Sequence, residues 1–89
     1  MALIKKELIV MNKQGLHARP AALFVQRANK FDSRITVRRD AEEVNGKSIM
    51  GILMLGAEKG SRIIVEADGV DAELAMLELE KIINSEEEL

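Results

Sequence analysis

The sequence contains no cysteine, tryptophan or tyrosine, and it has a single histidine and a single proline. Without cysteine the chain forms neither disulfides nor thiolate metal sites, which agrees with a reducing compartment. One imidazole is too few for a zinc site, because such sites need several nitrogen or sulfur ligands. A chain of 89 residues is also short for a substrate pocket around a catalytic triad. We therefore expect no metal, no cofactor and no autonomous enzyme.

Charge and hydropathy argue against two further classes of partner. The chain has 13 basic and 15 acidic residues and a formal net charge of −2, which gives no electrostatic basis for binding nucleic acid. The basic stretch formed by Arg34, Arg38 and Arg39 lacks interleaved aromatic residues, so it predicts a solvated strand face. No apolar run reaches the roughly 18 residues of a membrane span, and the first residues do not resemble a signal peptide. We expect a cytoplasmic protein that binds neither nucleic acid nor membrane.

The hydrophobic pattern predicts one small α/β domain over residues 1–89, with an aliphatic core. Apolar residues make up 47% of the chain and aromatic residues only 2%. Alternating or helical spacing of apolar residues predicts strands at 2–11, 34–38, 42–44 and 62–67, and helices at 18–29, 49–55 and after Asp71. Helices interleaved with strands in this order predict a two-layer α/β sandwich whose helices cover one face of the sheet.

Residues at the ends of these elements add local predictions. Ser48 and Asp71 are N-cap candidates for the second and third helices, and Gly56 is a natural end for the second helix. Pro20 falls in the first turn of the first helix, where its missing N–H is not needed. Ala41 is unfavourable in a tight primed turn, so we expect a looser connection between the second and third strands.

The single histidine, His17, stands directly before the first predicted helix, in the stretch Gly-Leu-His-Ala-Arg-Pro. A helix start carries partial positive charge and N–H groups that bind phosphate or carboxylate. The same positive potential favours a neutral, nucleophilic imidazole, and Arg19 adds a forked cation that pairs with phosphate oxygens. The stretch predicts an exposed histidine that takes and releases a phosphoryl group. An ordinary surface histidine is the alternative.

Two segments together resemble one known family. Residues 15–22, Gly-Leu-His-Ala-Arg-Pro-Ala-Ala, resemble the active-site stretch of the histidine-containing phosphocarrier protein (HPr) family of the bacterial phosphoenolpyruvate:sugar phosphotransferase system. Residues 46–56 resemble that family's regulatory-serine region, and the resemblance extends over about 8–83. It implies that His17 is phosphorylated on Nδ1 and that Arg19 assists the transfer. It also implies an open-faced β-sandwich, with a four-stranded antiparallel sheet and three helices on one side, in the order βαββαβα.

The resemblance also implies partners. Enzyme I, phosphorylated from phosphoenolpyruvate, would donate to His17, and a IIA-type component would accept the group from a monomeric carrier. In part of the family the serine equivalent to Ser48 is phosphorylated by an ATP-dependent kinase, so a serine kinase/phosphorylase and a transcriptional regulator are further candidate partners. The cap role alone would also account for Ser48. Two alternatives remain open: a nitrogen-branch or regulatory phosphocarrier, and a Ser48-switched adaptor that docks on a regulator without transfer.

The second predicted helix contains more apolar residues than one buried face can hold. In a two-layer fold a short helix buries a single side, and we assign Ile52 and Leu55 to the core. The remaining apolar side chains then form an exposed patch, and such patches often mark docking sites. The residues predicted to bind partners are Ala22, Leu23, Lys47, Ile49, Met50 and Leu53.

Overall fold

The computed structural model describes residues 2–86, and their elements follow the predicted order. The strands β1 to β4 span Ala2–Ile9, Arg34–Arg39, Glu42–Asn45 and Arg62–Gly69, and the helices α1 to α3 span Ala18–Ala28, Ile49–Leu55 and Ala72–Ile83. The order βαββαβα is therefore confirmed. Of the tail predicted to fray, 85–89, the last three residues lie outside the described part of the chain.

The four strands form one antiparallel sheet in the order β1-β4-β2-β3. Helix α3 packs on β1 and β4, α2 packs on β2 and β3, and α1 contacts both other helices. Along β4, Ile63, Val65 and Ala67 are buried, whereas Arg62 and Asp68 on the opposite face are exposed. One face of the sheet is thus covered by helices and the other is open, which confirms the predicted two-layer sandwich.

Most side chains of the buried core are aliphatic, as the composition predicts. In α3 all five predicted core residues are buried, and in β2 the same holds for Ile35 and Val37. Ile4 and Val25 share the apolar spacing of their elements but are only half-buried, and they pack against the edge of the core. The predicted core residues of α3 are Ala75, Met76, Leu79, Ile82 and Ile83.

The predicted loose connection between β2 and β3 is wrong. Arg39 pairs with Glu42, so only Asp40 and Ala41 join the two strands. Asp40 takes the left-handed conformation with φ 54°, and no other non-glycine residue among 2–86 has a positive φ. Aspartate tolerates this conformation better than most residues. The turn therefore requires a left-handed residue at Asp40 and not at Ala41.

Helix α2 begins and ends as predicted. The Ser48 hydroxyl accepts a hydrogen bond from the Gly51 N–H at 3.1 Å, and Gly56 follows the helix in the left-handed conformation with φ 61°. A Cβ on Gly51 would lie 3.2 Å from the carbonyl oxygen of Asn45, so the close approach of this loop also favours glycine there. Both ends of α2 are therefore fixed by local backbone chemistry.

Asp71 occupies the N-cap position of α3, but its side chain does not cap the helix, contrary to the prediction. Its carboxylate accepts hydrogen bonds from the N–H groups of Asp32 at 2.8 Å and Ser33 at 2.9 Å, and from the Ser33 hydroxyl at 2.5 Å. The hydroxyl of Ser33 first, and then these N–H groups, lower the pKa of the Asp71 carboxyl. The side chain therefore joins the α1–β2 loop to the start of α3.

Candidate active site

His17 is the N-cap residue of α1, as predicted. Its backbone is extended, with φ −78° and ψ −169°, and its carbonyl oxygen accepts the N–H of Ala21 at 2.8 Å. The side chain is exposed and makes no capping hydrogen bond to the helix. The imidazole is thus accessible at a helix start, where first-turn N–H groups have no carbonyl partner within the helix. Pro20 fits this turn because it brings no N–H.

The electrostatic surroundings of His17 suit an incoming anion. Arg19 follows in the first turn of α1 with an exposed side chain, and that turn contains no acidic residue. A guanidinium presents two N–H donors in a fixed fork that matches phosphate oxygens. The helix start adds partial positive charge of its own. The predicted phosphoryl site at His17 depends on these two contributions.

The backbone just before His17 is fixed against the residues that follow α2. Leu16 is buried and its N–H donates to the carbonyl oxygen of Ala57 at 2.8 Å. Gly15 has φ +73°, and a Cβ at this position would overlap that same carbonyl oxygen and the backbone of Glu58. Only glycine combines the left-handed backbone with so close an approach. The stretch before the histidine is therefore specified by space as well as by conformation.

A second anchor, which the sequence did not predict, lies further upstream. The side chain of Asn12 is buried and its Nδ2 donates to the carbonyl oxygens of Ile82 at 2.9 Å and Ser85 at 3.1 Å. Next to it, the N–H of Met11 donates to the carbonyl oxygen of Ile83 at 2.9 Å. The end of α3 thus holds the chain that leads to His17. No periodicity in the sequence marks a single loop asparagine as buried.

His17 lies on the rim of a shallow surface depression. Leu53 of α2 lines the same depression, so the apolar helix lies beside the histidine. The end of α2 is held by Arg39, whose guanidinium donates to the carbonyl oxygen of Leu55 at 3.2 Å. The depression is lined by Gln14, Leu16, His17, Leu53, Gly56, Ala57 and Glu58.

The exposed side of α2 is apolar, as predicted. Met50 is 63% exposed, and Ile49 and Leu53 are 38% and 41% exposed, whereas Ile52 is fully buried. Met54, which was not singled out from the sequence, is 67% exposed and extends the same surface. Leu55 is 2% exposed, so both core assignments in this helix are confirmed. We call the exposed residues Ile49, Met50, Leu53 and Met54 the α2 patch.

Other residues predicted to bind partners are less exposed. Ala22 and Leu23 are half-buried, and Leu23 packs against the core. The ammonium group of Lys47 donates to the carbonyl oxygen of Phe31 at 2.6 Å, and its own carbonyl oxygen accepts from Asn29 at 3.1 Å. Lys47 therefore ties the loop before α2 to the end of α1, a structural role that the sequence did not reveal.

Residues 2–86 contain neither a cluster of metal ligands nor a membrane-spanning helix. No three His, Cys, Asp or Glu side chains in this range are placed to hold a metal ion together. No helix in the same range is long and apolar enough to cross a membrane.

Comparison with known proteins identifies the family. A family model described as the PTS HPr component phosphorylation site matches residues 4–85. The chain belongs to the HPr family. The phosphocarrier protein HPr of Neisseria meningitidis serogroup A is 45% identical over 82 residues, which cover 92% of each chain. The crystal structure of HPr-C-His from Thermoanaerobacter tengcongensis is 49% identical, with a TM-score of 0.91 over 97% of this chain and 99% of that one.

The HPr family also includes regulatory relatives of this chain. The structure of Crh from Bacillus subtilis, a catabolite repression protein described as a dimer with a swapped domain, is 40% identical. Its TM-score is 0.75, over 93% of this chain and 95% of that one. HPr is a phosphocarrier of the phosphotransferase system and not a catalyst, which agrees with the predicted class. The individual roles of His17, Arg19 and Ser48 stay predictions that rest on their positions.

Proposed function

We propose that this HPr-family chain carries phosphoryl groups on Nδ1 of His17, from phosphorylated enzyme I to IIA-type components. The observation that supports this most directly is the exposed imidazole of His17 at the start of α1, with no capping bond to the helix. A family of phosphocarriers supplies the chemical context. The chain is then a substrate of its partner enzymes, and it acts in the cytoplasm.

The chemistry follows from these groups. The lone pair on Nδ1 attacks the phosphorus, and the bond from phosphorus to the donor breaks as the N–P bond forms, so the electron pair leaves with the donor. Arg19 and the positive start of α1 stabilise the negative charge on the phosphoryl oxygens. In the second step the acceptor attacks the same phosphorus, and protonation of the ring helps the imidazole of His17 to leave. No other covalent chemistry is needed.

The α2 patch is the proposed docking surface. A relay needs complexes that form and dissociate quickly, and small interfaces suit this better than large ones. Leu53 belongs to the patch and also lines the depression beside His17, so a partner seated on α2 would reach the histidine. The half-buried Ala22 and Leu23 would lie at the edge of such an interface.

Labelling with enzyme I tests the carrier function. The protein is incubated with enzyme I and phosphoenolpyruvate, and its mass is measured before and after brief acid treatment. We expect one acid-labile phosphate on the unmodified protein and on Ser48→Ala, and none on His17→Ala. If no cognate enzyme I labels the unmodified protein, the carrier proposal is wrong and the adaptor hypothesis remains.

A charge placed on the patch tests docking. Met50→Glu should raise the KM of the carrier in the enzyme I reaction about tenfold, because a carboxylate would be desolvated at the interface. The fold should be unaffected, since Met50 is 63% exposed. Leu74→Glu is the matched control: Leu74 is 55% exposed on α3, outside the patch, and its KM should not change. Unfolding of Met50→Glu would contradict the assignment of the exposed face.

Regulation through Ser48 is the second candidate function, supported by the similarity to Crh. A phosphate on this hydroxyl would replace the cap of α2 and add negative charge beside Ile49 and Met50, which would change partner choice. Incubation with a serine kinase and ATP should add a phosphate that Ser48→Ala lacks. An unchanged mass of the unmodified protein would reject this function. Labelling by an enzyme I of the nitrogen branch alone would place the carrier in that branch.

The proposed carrier is monomeric. The domain swap described for Crh is the alternative arrangement. Light scattering at micromolar and millimolar concentration should give the mass of one chain, 9.9 kDa, at both. A stable mass of two chains would contradict this proposal.

A further inference from the structure

One buried side chain holds the segment that leads to His17. Asn12 is 1% exposed, and both hydrogens of its amide group are directed at main-chain carbonyl oxygens, those of Ile82 at 2.9 Å and Ser85 at 3.1 Å. Carbonyl groups at the end of a helix have no partner within the helix, so they need donors from elsewhere. Asn12 therefore adds a donor at the end of α3, where the Ile82 carbonyl also accepts the Ser85 N–H at 3.3 Å, and it fixes its own position at the same time.

The backbone carries this fixed position forward to the histidine. The carbonyl oxygen of Asn12 accepts the N–H of Gly15 at 2.9 Å, which closes the turn through Lys13 and Gln14. Gly15 in turn packs against the main chain after α2, and the N–H of Leu16 is bonded there. A displacement of Asn12 would thus be passed to Gly15 and then to the residues that set the start of α1.

The buried amide of Asn12 has both an unfavourable and a favourable effect on stability. Its Oδ1 is buried and accepts no hydrogen bond from residues 2–86. A buried acceptor left without a donor costs free energy that an apolar side chain would avoid. The two hydrogen bonds from Nδ2 offset this cost, and they fix the position of Asn12 in a way that an apolar side chain could not.

We propose that Asn12 is a positioning residue for phosphoryl transfer: it holds residues 12–16, the histidine loop, against the end of α3, so that His17 keeps its place beside α1 and the depression. This rests on the proposed carrier function. Asn12 does not touch the reacting atoms. It acts through Gly15 and Leu16, and its loss should lower the rate of transfer within the complex rather than the affinity for the partner.

Two variants remove the donor in different ways. Asn12→Ala deletes the amide, and Asn12→Asp keeps its size but turns a carboxylate oxygen toward the carbonyl groups. Both should lower kcat for acceptance from enzyme I roughly ten- to hundredfold, because small displacements of a reacting group have effects of that size. KM should stay within twofold, since the α2 patch is untouched. Met50→Glu should show the opposite pattern.

A destabilised control separates positioning from general loss of stability. Val37→Ala removes buried atoms from β2, a strand that is not adjacent to β1 in the sheet. Val37→Ala should lower Tm. Its kcat, measured at a temperature where all variants are folded, should be unchanged. If the Asn12 variants lose no more kcat than Val37→Ala, or if they raise KM instead, the positioning role is overturned.

Amide hydrogen exchange tests the loop without any partner. The N–H groups of Gly15 and Leu16 should exchange at least about tenfold faster in Asn12→Ala, while amides of β2 change only as much as global stability dictates. Unchanged exchange at Gly15 and Leu16 would overturn the inference even if the carrier function holds. Failure of enzyme I to label the unmodified protein would instead overturn the carrier function, and exchange would still report on the loop.

Discussion

The N-cap residues of α1 and α2 differ in whether their side chains accept a hydrogen bond from the helix. At α2, the hydroxyl of Ser48 accepts the Gly51 N–H and so satisfies a first-turn amide within the chain. At α1, His17 occupies the same N-cap position but forms no such bond. An N-cap side chain that accepts a first-turn N–H stabilises the helix. A helix start without such a cap keeps its N–H donors and positive potential available for an anion. Under the proposed carrier function, the start of α1 lacks the stability of a side-chain cap and keeps its donors for the phosphoryl group.

The largest expected effect comes from giving α1 the cap that α2 has. His17→Ser should abolish the acid-labile phosphate completely, because the acceptor nitrogen is gone. Its free energy of unfolding should exceed that of His17→Ala by about 1 kcal/mol, the usual value of a serine cap. Mass spectrometry and urea unfolding measure the two effects. Equal stability of the two variants would show that the start of α1 cannot be capped in this way.

Removing the cation beside the open start should have the next largest effect. Arg19→Ala should slow phosphoryl acceptance about 100-fold, comparable to the loss of one donor in an oxyanion hole. Arg19→Lys should recover only part of the rate, because an ammonium lacks the fork of the guanidinium. Quenched-flow labelling with circular dichroism as a folding control measures this. Full recovery by lysine would mean that charge alone is needed.

Removing the Ser48 cap of α2 should lower the free energy of unfolding without changing the rate of phosphoryl transfer. Ser48→Ala should cost about 1 kcal/mol of unfolding free energy, and Ser48→Asp, which can still cap, should cost less. The rate at which His17 is labelled should stay unchanged in Ser48→Ala. Urea unfolding and the enzyme I assay measure these effects. Slower labelling of His17 in Ser48→Ala would show that the two helix starts are not independent.

The smallest expected effect is at the start of α3, where replacing Asp71 should change Tm in a way that depends on pH. The pKa of Asp71 is lowered in the folded chain, so its carboxylate stabilises the fold above the ordinary value of 3.8, and this contribution is lost as the pH falls through the folded value. The difference in Tm between the unmodified protein and Asp71→Asn should therefore be present at pH 7 and narrow in acid. A difference that persists in acid would assign it to packing.

The sequence allowed the fold to be predicted because its elements each bury one face. Alternation along β4 and helical spacing along α3 identify both elements without reference to the rest of the chain. Ser48 and His17 were also predictable, since caps act within a few residues. Asn12 and Lys47 were not, because their partners are main-chain carbonyls of residues far away in the sequence. Nothing in the side chains of Ile82 or Phe31 indicates that their carbonyl oxygens accept these bonds.

Asp71 shows the same limit from the other direction. As an aspartate just before a helix it is a typical cap residue, yet its carboxylate accepts hydrogen bonds from the loop at Asp32 and Ser33 instead. Local rules name the candidate donors and acceptors, but tertiary contacts decide which of them pair. The prediction of a looser turn at Ala41 is wrong for a similar reason. The strand pairing leaves only two residues in the turn, and the left-handed conformation is at Asp40.

The anchors of the histidine loop come from opposite ends of the described chain, with Met11 and Asn12 near the start and Ile82, Ile83 and Ser85 after most of the sequence. A polypeptide emerging from the ribosome exposes the histidine motif long before the helix that anchors its loop has been synthesised. Under the proposed carrier function, His17 would therefore become a good phosphoryl acceptor only late in synthesis, and a nascent chain stalled before α3 should be a poor acceptor although its motif is intact.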